Sequence, residues 1–237
     1  MIRVLLERGG AAAGQRGNLL DGEAHHLRVR RAEEGEAVEL RDGDGLIGLG
    51  RLVLERKTWG VDVTAVGQVP RPAELTLAVG AGDRERFLWV VEKATELGAT
   101  SVIPLETERT AGVASRVRSQ HLERARRHAL EAVKQCGAAW AARVEEPASL
   151  VDLAKRPLAG QGWLAAADGG PVPAVVGPAP LTVVIGPEGG LTTDEVAQLR
   201  GAGYSAVSFG PHTLRFETAA IAAAAAAVAG RLRRNDG

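Results

Sequence analysis

The sequence predicts an α/β protein: a small β-rich domain over residues 1–70, then a parallel-sheet α/β domain over residues 73–237. Three observations predict it. The N-terminal third holds short strand-like runs around one short helical stretch. Pro70-Arg71-Pro72 then interrupts the pattern as a linker. Beyond Pro72, apolar runs typical of buried strands alternate with segments of helical period.

In chain order, Arg3 to Glu7 reads as a first strand. Asp21-Gly22-Glu23-Ala24-His25-His26 opens a short helix. Glu36 to Arg41 and Leu46 to Leu54 flank Asp42-Gly43-Asp44-Gly45, a hairpin turn signal. Val61, Val63 and Val66 mark another strand, and several short strands around a small helix suggest a compact barrel. Leu75 to Val79 is a buried-strand run. Phe87, Val90, Val91, Ala94 and Leu97 recur at helical spacing, with Gly98 placed to end the helix. Ser101 to Leu105 is a strand, and Gln120 to Gln135 a basic helix. Trp163 to Ala167 and Leu181 to Ile185 are strands. Thr192 to Ala202 is a helix whose Thr192 and Glu195 have capping-box spacing. Ala206 to Phe209 is the last strand and Leu214 to Leu232 the last helix, its alanine run being good helix former.

Composition bounds the function. Apolar residues make up 45% of the 237, enough for a substantial core, but aromatics are only 3%, so Ala, Leu and Val must fill it. Net charge is zero, so nucleic-acid binding would have to come from local charge rather than the sum. Cys136 is the single cysteine, which excludes an intramolecular disulfide. Met1-Ile2-Arg3-Val4 lacks a signal-peptide pattern, and the longest apolar run, Ala219 to Ala229, is too short to span a bilayer. A cytoplasmic location without membrane association is expected. His25 and His26 lack metal-ligand spacing with any partner, and no metal is expected.

Two turns carry the chemistry. In Val183-Val184-Ile185-Gly186-Pro187-Glu188-Gly189-Gly190-Leu191-Thr192 a buried strand ends in a glycine-rich turn before a capped helix. Ligands of open α/β sheets bind at the carboxyl ends of strands, and glycines there admit close backbone approach. The turn is neither the dinucleotide fingerprint nor a phosphate loop. Glu188 would repel phosphate and suits a cationic or hydroxyl-bearing ligand. The second turn is Phe209-Gly210-Pro211-His212-Thr213-Leu214-Arg215-Phe216-Glu217-Thr218-Ala219. Arg215 and Glu217 are two apart, so they lie on different helix faces, and at least one is expected to face inward.

Gly186-Pro187-Glu188-Gly189-Gly190, followed by Leu214-Arg215-Phe216-Glu217-Thr218-Ala219, resembles the SPOUT methyltransferases, and within them the RsmE family of 16S rRNA uracil-N3 methyltransferases. Glu92 to Ala99 with Ile103-Pro104-Leu105, Glu131 to Gly137, and His26 to Arg31 followed by Gly35 extend the resemblance over nearly the whole chain. One departure stands out. Ala138-Ala139-Trp140 follow Gly137 where the family carries arginine, and the nearest arginine is Arg143.

The resemblance implies a PUA-like barrel joined to an α/β domain with a deep trefoil knot, and a homodimer. It implies S-adenosyl-L-methionine as methyl donor, cradled by the loops Ala165 to Asp168, Ile185 to Gly190 and Phe209 to Leu214. Carried over residue by residue, the expected cofactor contacts are Leu164, Ala166, Ile185, Gly186, Glu188, Gly189, Gly190, Phe209, Gly210, Leu214 and Thr218. The implied substrate is 16S rRNA or the small ribosomal subunit.

Basic residues point to the RNA surface. Glu108 to Lys134 holds seven Arg and Lys against three Glu. Arg109, Arg116, Arg124 and Arg127 are candidate phosphate contacts there, and Arg28, Arg30 and Arg31 form a second cluster in the N-terminal domain. A solvated helix face is the competing reading of the longer segment. Removing the N3 proton of uracil requires a base or a stabilised anion. Arg215 is the candidate for the anion and Glu217 for the base or an orienting group. Two other readings remain open: a SPOUT ribose 2′-O-methyltransferase, and a non-catalytic RNA-binding assembly protein.

Overall fold

The computed structural model describes residues 1–235 and resolves into two compact units. The first comprises residues 1–71 and 130–141, the second 72–129 and 142–237.

In the first unit, strands β1 (Ile2–Leu5), β2 (Arg16–Gly17), β3 (Ala37–Arg41), β4 (Leu46–Glu55) and β5 (Thr58–Gln68) form one sheet in the order β1–β3–β4–β5–β2. β1 and β3 are parallel and the other pairs antiparallel. The two edges meet: Leu6 bridges Leu19, Leu20 N–H donates to Leu5 O at 2.8 Å, and Glu7 N–H to Asn18 O at 3.1 Å. The sheet therefore closes towards a barrel, which removes the exposed strand edges. Period-two alternation sends Val38, Leu40, Leu52, Val61 and Val63 inward, where they pack with Ile2, Val4, Leu6 and Trp59. Helix α1 (Glu23–Val29) adds Leu27 to the same core. The β3–β4 turn is held by the buried Asp42, whose Oδ1 accepts from Asp44 N–H at 2.7 Å and Leu46 N–H at 3.0 Å.

The second unit is built on strands β6 (Leu75–Val79), β7 (Ser101–Glu106), β8 (Arg143–Val144), β9 (Ala148–Ser149), β10 (Gln161–Gly170), β11 (Leu181–Ile185) and β12 (Ser205–Val207). Their order is β12–β10–β11–β6–β7–β8, with β9 also beside β7, and every pairing is parallel. The central strands are apolar along their length because a parallel sheet is covered on both faces. The helices are α2 (Arg84–Glu96), α3 (Leu122–Cys136), α4 (Leu150–Lys155), α5 (Thr193–Gly201) and α6 (Phe216–Asn235). α6 packs on α2, β6 and β11 through Ala220, Ala223, Ala224 and Ala227, all fully buried. β2, β8, β9 and α4 are not expected from the sequence, being too short to show a period. The segment 130–141, expected within the second domain, groups with the first unit.

The strand order positions the site. β11 and β12 follow β10 in sequence but flank it on opposite sides. At such a switch of direction the strand-end loops diverge and leave a crevice.

Candidate active site

A cavity of about 350 Å³ lies in that crevice, at the carboxyl ends of β10, β11 and β12. Three loops line it: Ala165–Ala167 from β10, Ile185–Leu191 after β11, and Ser208–Leu214 after β12. Phe216 and Ala219, three apart and so on one face of α6, complete the wall. The size suits a nucleoside-sized ligand. Its titratable lining is Glu188 and His212, with no Lys or Arg to pair with a phosphate.

Each loop is held by local chemistry. The 187–190 turn closes with Gly190 N–H donating to Pro187 O at 2.8 Å, and Gly190 adopts φ +72°, which favours glycine. Thr192 and Glu195 form the expected capping box at the start of α5. Gly80 admits the turn itself: a Cβ there would come within 2.6 Å of Pro187 N. The Glu188 carboxylate lies by Gly82, just before the N-terminus of α2, where the helix dipole favours a negative charge. After β12, Ser208 Oγ donates to Gly210 O at 2.9 Å, and Phe209 meets the buried Trp163 at 6.2 Å between ring centroids.

Of the residues expected at the cofactor, Ala166, Ile185, Gly186, Glu188, Gly189, Gly190, Phe209, Gly210 and Leu214 all line the cavity. Leu164 and Thr218 do not. Leu164 faces the core, 1% exposed, because it alternates with the lining residue Ala165 along β10. Thr218 is turned to solvent, off the face that carries Phe216 and Ala219. The lining residues outside the expected loops and contacts are Leu191, Ser208, Phe216 and Ala219. The three-residue spacing of Phe216 and Ala219 was their one available signal.

Arg215 is exposed, between the lining residues Leu214 and Phe216. Glu217 turns the other way. Its Oε1 is 3.6 Å from Arg86 Nη1 of α2, and its buried Oε2 has no hydrogen-bond partner among the described residues. The carboxylate therefore pairs with Arg86, a residue the sequence did not single out, and leaves Arg215 without an ion-pair partner among the described residues.

The basic residues divide. Arg28, Arg30 and Arg31 are exposed at the end of α1, Arg31 at φ +57°. Arg124 is held bidentate by Glu85 at 2.6 and 2.9 Å. Arg116 donates to Ala111 O at 2.6 Å and lies 3.9 Å from Glu106. The Arg109 guanidinium donates to Gly189 O. Arg127 is exposed on α3 with no ion pair among the described residues. Arg143 sits at the amino end of β8 opposite Ser101, whereas the cavity lies at the carboxyl ends of β10, β11 and β12. In the first unit Gly137, at φ +82°, ends α3, and the helix carbonyls are met by two other guanidinia. Arg41 Nε donates to Gly137 O at 3.2 Å, and Arg3 Nη1 to Lys134 O at 3.2 Å and Gln135 O at 3.0 Å.

Comparison with known proteins agrees with this geometry. The RNA methyltransferase domain family matches residues 69–228, and the RNA methyltransferase PUA domain family matches residues 19–58. The ribosomal RNA small subunit methyltransferase E of Synechocystis sp. is 31% identical over 222 residues, covering 87% of this chain and 71% of that protein. The same enzyme from Neisseria gonorrhoeae, in a crystal structure bound to S-adenosyl methionine, is 27% identical with a TM-score of 0.84, over 95% of this chain and 96% of that one. A Legionella pneumophila methyltransferase with bound cofactor SAM is 26% identical with a TM-score of 0.83, over 98% of each chain. With an RNA methyltransferase domain match over residues 69–228 and a PUA domain match over residues 19–58 ahead of it, the chain belongs to the RNA methyltransferase family that includes ribosomal RNA small subunit methyltransferase E.

Proposed function

We propose that the protein transfers the methyl group of S-adenosylmethionine to N3 of a specific uridine in 16S ribosomal RNA. The observation that carries this reading is the crevice at the β10 switch point, walled by backbone of three strand-end loops and with no Lys or Arg in its lining. Such a lining suits an uncharged nucleoside moiety attached to a cationic sulfonium. Ala165–Ala167, Gly186–Gly190 and Phe209–Leu214 would hold the donor, with Glu188 the one carboxylate in reach.

When bound, the donor supplies an electrophilic methyl carbon, and transfer leaves a neutral thioether. This chain's residues must present the uracil in line, which by itself lowers the barrier by several kcal/mol. The N3 proton leaves to solvent water, and this chain's residues must stabilise the charge left on O2 and O4 before the methyl group arrives. Arg215 is assigned that task because it is exposed beside the cavity and has no ion-paired carboxylate among the described residues. Glu217, tied to Arg86, is assigned to hold the start of α6 so that Arg215 points outward, rather than to act as base. Arg28, Arg30, Arg31 and Arg127 are the proposed phosphate contacts, since all are exposed and the last has no competing carboxylate among the described residues. Homodimer formation, the trefoil knot and a cytoplasmic setting belong to the same reading. The strand order β12–β10–β11 supports the knot, and no described helix is long and apolar enough to cross a membrane.

Purified protein incubated with 16S rRNA and S-adenosylmethionine is expected to yield N3-methyluridine on nucleoside mass analysis. A ribose-methylated product, or none, would overturn the reading. Arg215→Ala should lower kcat by about 100-fold or more while S-adenosylmethionine affinity stays within about twofold. Full turnover in that variant would remove Arg215 from the mechanism.

A further inference from the structure

Residues 107–118, between β7 and α3, carry three of the arginines in the basic segment, yet the segment is fastened to the cavity's supports. Glu108 N–H donates to Oε1 of the buried Glu195, the capping-box carboxylate of α5, at 2.8 Å. Ser115 Oγ donates to Gly82 O at 2.7 Å and Val117 N–H to Ala81 O at 3.3 Å. Thr107 and Thr110 are buried, and Thr107 N–H donates to Thr110 Oγ1 at 2.9 Å. From this fastened base Arg109 reaches the glycine turn, and its guanidinium donates to the Gly189 carbonyl. The bare α-carbon of Gly189 has its open side towards Arg109: a Cβ there would meet Arg109 Cδ at 3.2 Å.

The Gly189–Gly190 peptide is thus pinned at both ends. Its carbonyl accepts from Arg109, and its N–H donates to Pro187 O. A peptide plane rotates as a unit, and the side chains of its two flanking residues normally oppose that rotation. Glycine on both sides removes this opposition, so an external bond must hold the plane. We infer that Arg109 is a cofactor-positioning residue, fixing the orientation of the Gly189–Gly190 peptide in the wall of the methyl-donor site, and not an RNA phosphate contact. The inference rests on the proposed donor site.

The test is calorimetric titration of S-adenosylmethionine into the full-length protein without RNA. Arg109→Ala is expected to weaken binding about tenfold, a loss typical of one charge-assisted hydrogen bond. Arg109→Lys should regain most of it, because an ammonium can also donate to the carbonyl. In turnover, Arg109→Ala should raise KM for the donor with kcat at saturation nearly unchanged, and RNA affinity without donor should stay within about twofold. Gly189→Ala, pressing on Arg109 from the other side, should weaken donor binding in the same direction and provides a second variant. Ala166→Phe, which places bulk on the cavity wall, separates the two levels. Unchanged donor affinity in Arg109→Ala with binding lost in Ala166→Phe overturns the assignment of Arg109 alone. Unchanged affinity in both overturns the donor site beneath it.

Discussion

Glu23 shows how one residue can govern a small domain. It is 2% exposed, and Lys134 Nζ donates to its Oε1 at 2.6 Å while Leu5 N–H donates to Oε2 at 3.3 Å. Burial pulls the Lys134 ammonium down, but its bonds to Glu23 and Glu131 outweigh that and leave it above the ordinary lysine range. A raised folded value means the pair contributes fully below the ordinary lysine pKa and is lost only as pH rises through the higher folded one. At neutral pH the contribution is therefore intact. Lys134→Met should cost about 3–5 kcal/mol in urea unfolding at pH 7, since it strands a buried carboxylate. The pair itself is worth much less than that, so Glu23→Leu combined with Lys134→Met should recover most of the loss. If the double variant is as unstable as the single one, packing rather than charge explains the effect. None of this was legible in the sequence, where Glu23 reads only as a helix-opening acid and Lys134 lies 111 residues away.

At the scale of elements, the capping box at α5 does two jobs that its three-residue spacing announced only in part. Thr192 Oγ1 accepts from Glu195 N–H at 3.3 Å, and Glu195 Oε2 accepts from Thr192 N–H at 2.8 Å. Glu195 Oε1 meanwhile holds Glu108 N–H. Thr192→Ala should cost about 1 kcal/mol, the usual worth of an N-cap. Glu195→Ala should cost more, because it also leaves the Glu108 N–H of the fastened segment unmet. Equal losses in thermal melts would show that the Glu108 bond carries no weight. Local pattern was enough wherever an element was long or fully apolar. Leu75–Val79 and Leu181–Ile185 appear with the expected bounds, as continuous apolar runs between turn residues must. Pattern failed for Arg16–Gly17, Arg143–Val144 and Ala148–Ser149, two-residue strands defined only by their partners. It also misplaced the start of α6, which is Phe216 rather than Leu214. The glycine turn was readable as a site since its glycines sit where a strand meets a capped helix. Its anchor Arg109 was not, since nothing local distinguishes that arginine from the surface charges around it.

For the whole molecule, α3 belongs to both compact units: its residues from Leu130 onward group with the first, the preceding ones with the second. The N-terminal unit is thus not a continuous stretch of chain. Segment 130–141 gives it Lys134 for Glu23, and Trp140, whose Nε1 donates to Val69 O at 3.1 Å and whose ring lies 5.2 Å beneath the Arg71 guanidinium. It also joins the β3–β4 turn, with Gly45 N–H donating to Ala139 O and Ala141 N–H to Gly43 O, both at 2.9 Å. The linker at Pro70-Arg71-Pro72 marks a boundary in sequence, but no periodicity could reveal that a helix some sixty residues later completes the earlier unit. A fragment of residues 1–71 keeps the whole barrel core, so area alone says it should fold. The opposing term is Glu23, left buried without its cation at a cost of about 3–5 kcal/mol. A core of this size rarely supplies more than about 3–5 kcal/mol in total. The two nearly cancel, and the fragment is expected to show no cooperative thermal transition and poor amide dispersion at 25 °C. Glu23→Leu in the same fragment removes the stranded charge and should restore a measurable transition. A wild-type fragment melting as the intact protein does would mean that the barrel needs nothing from α3.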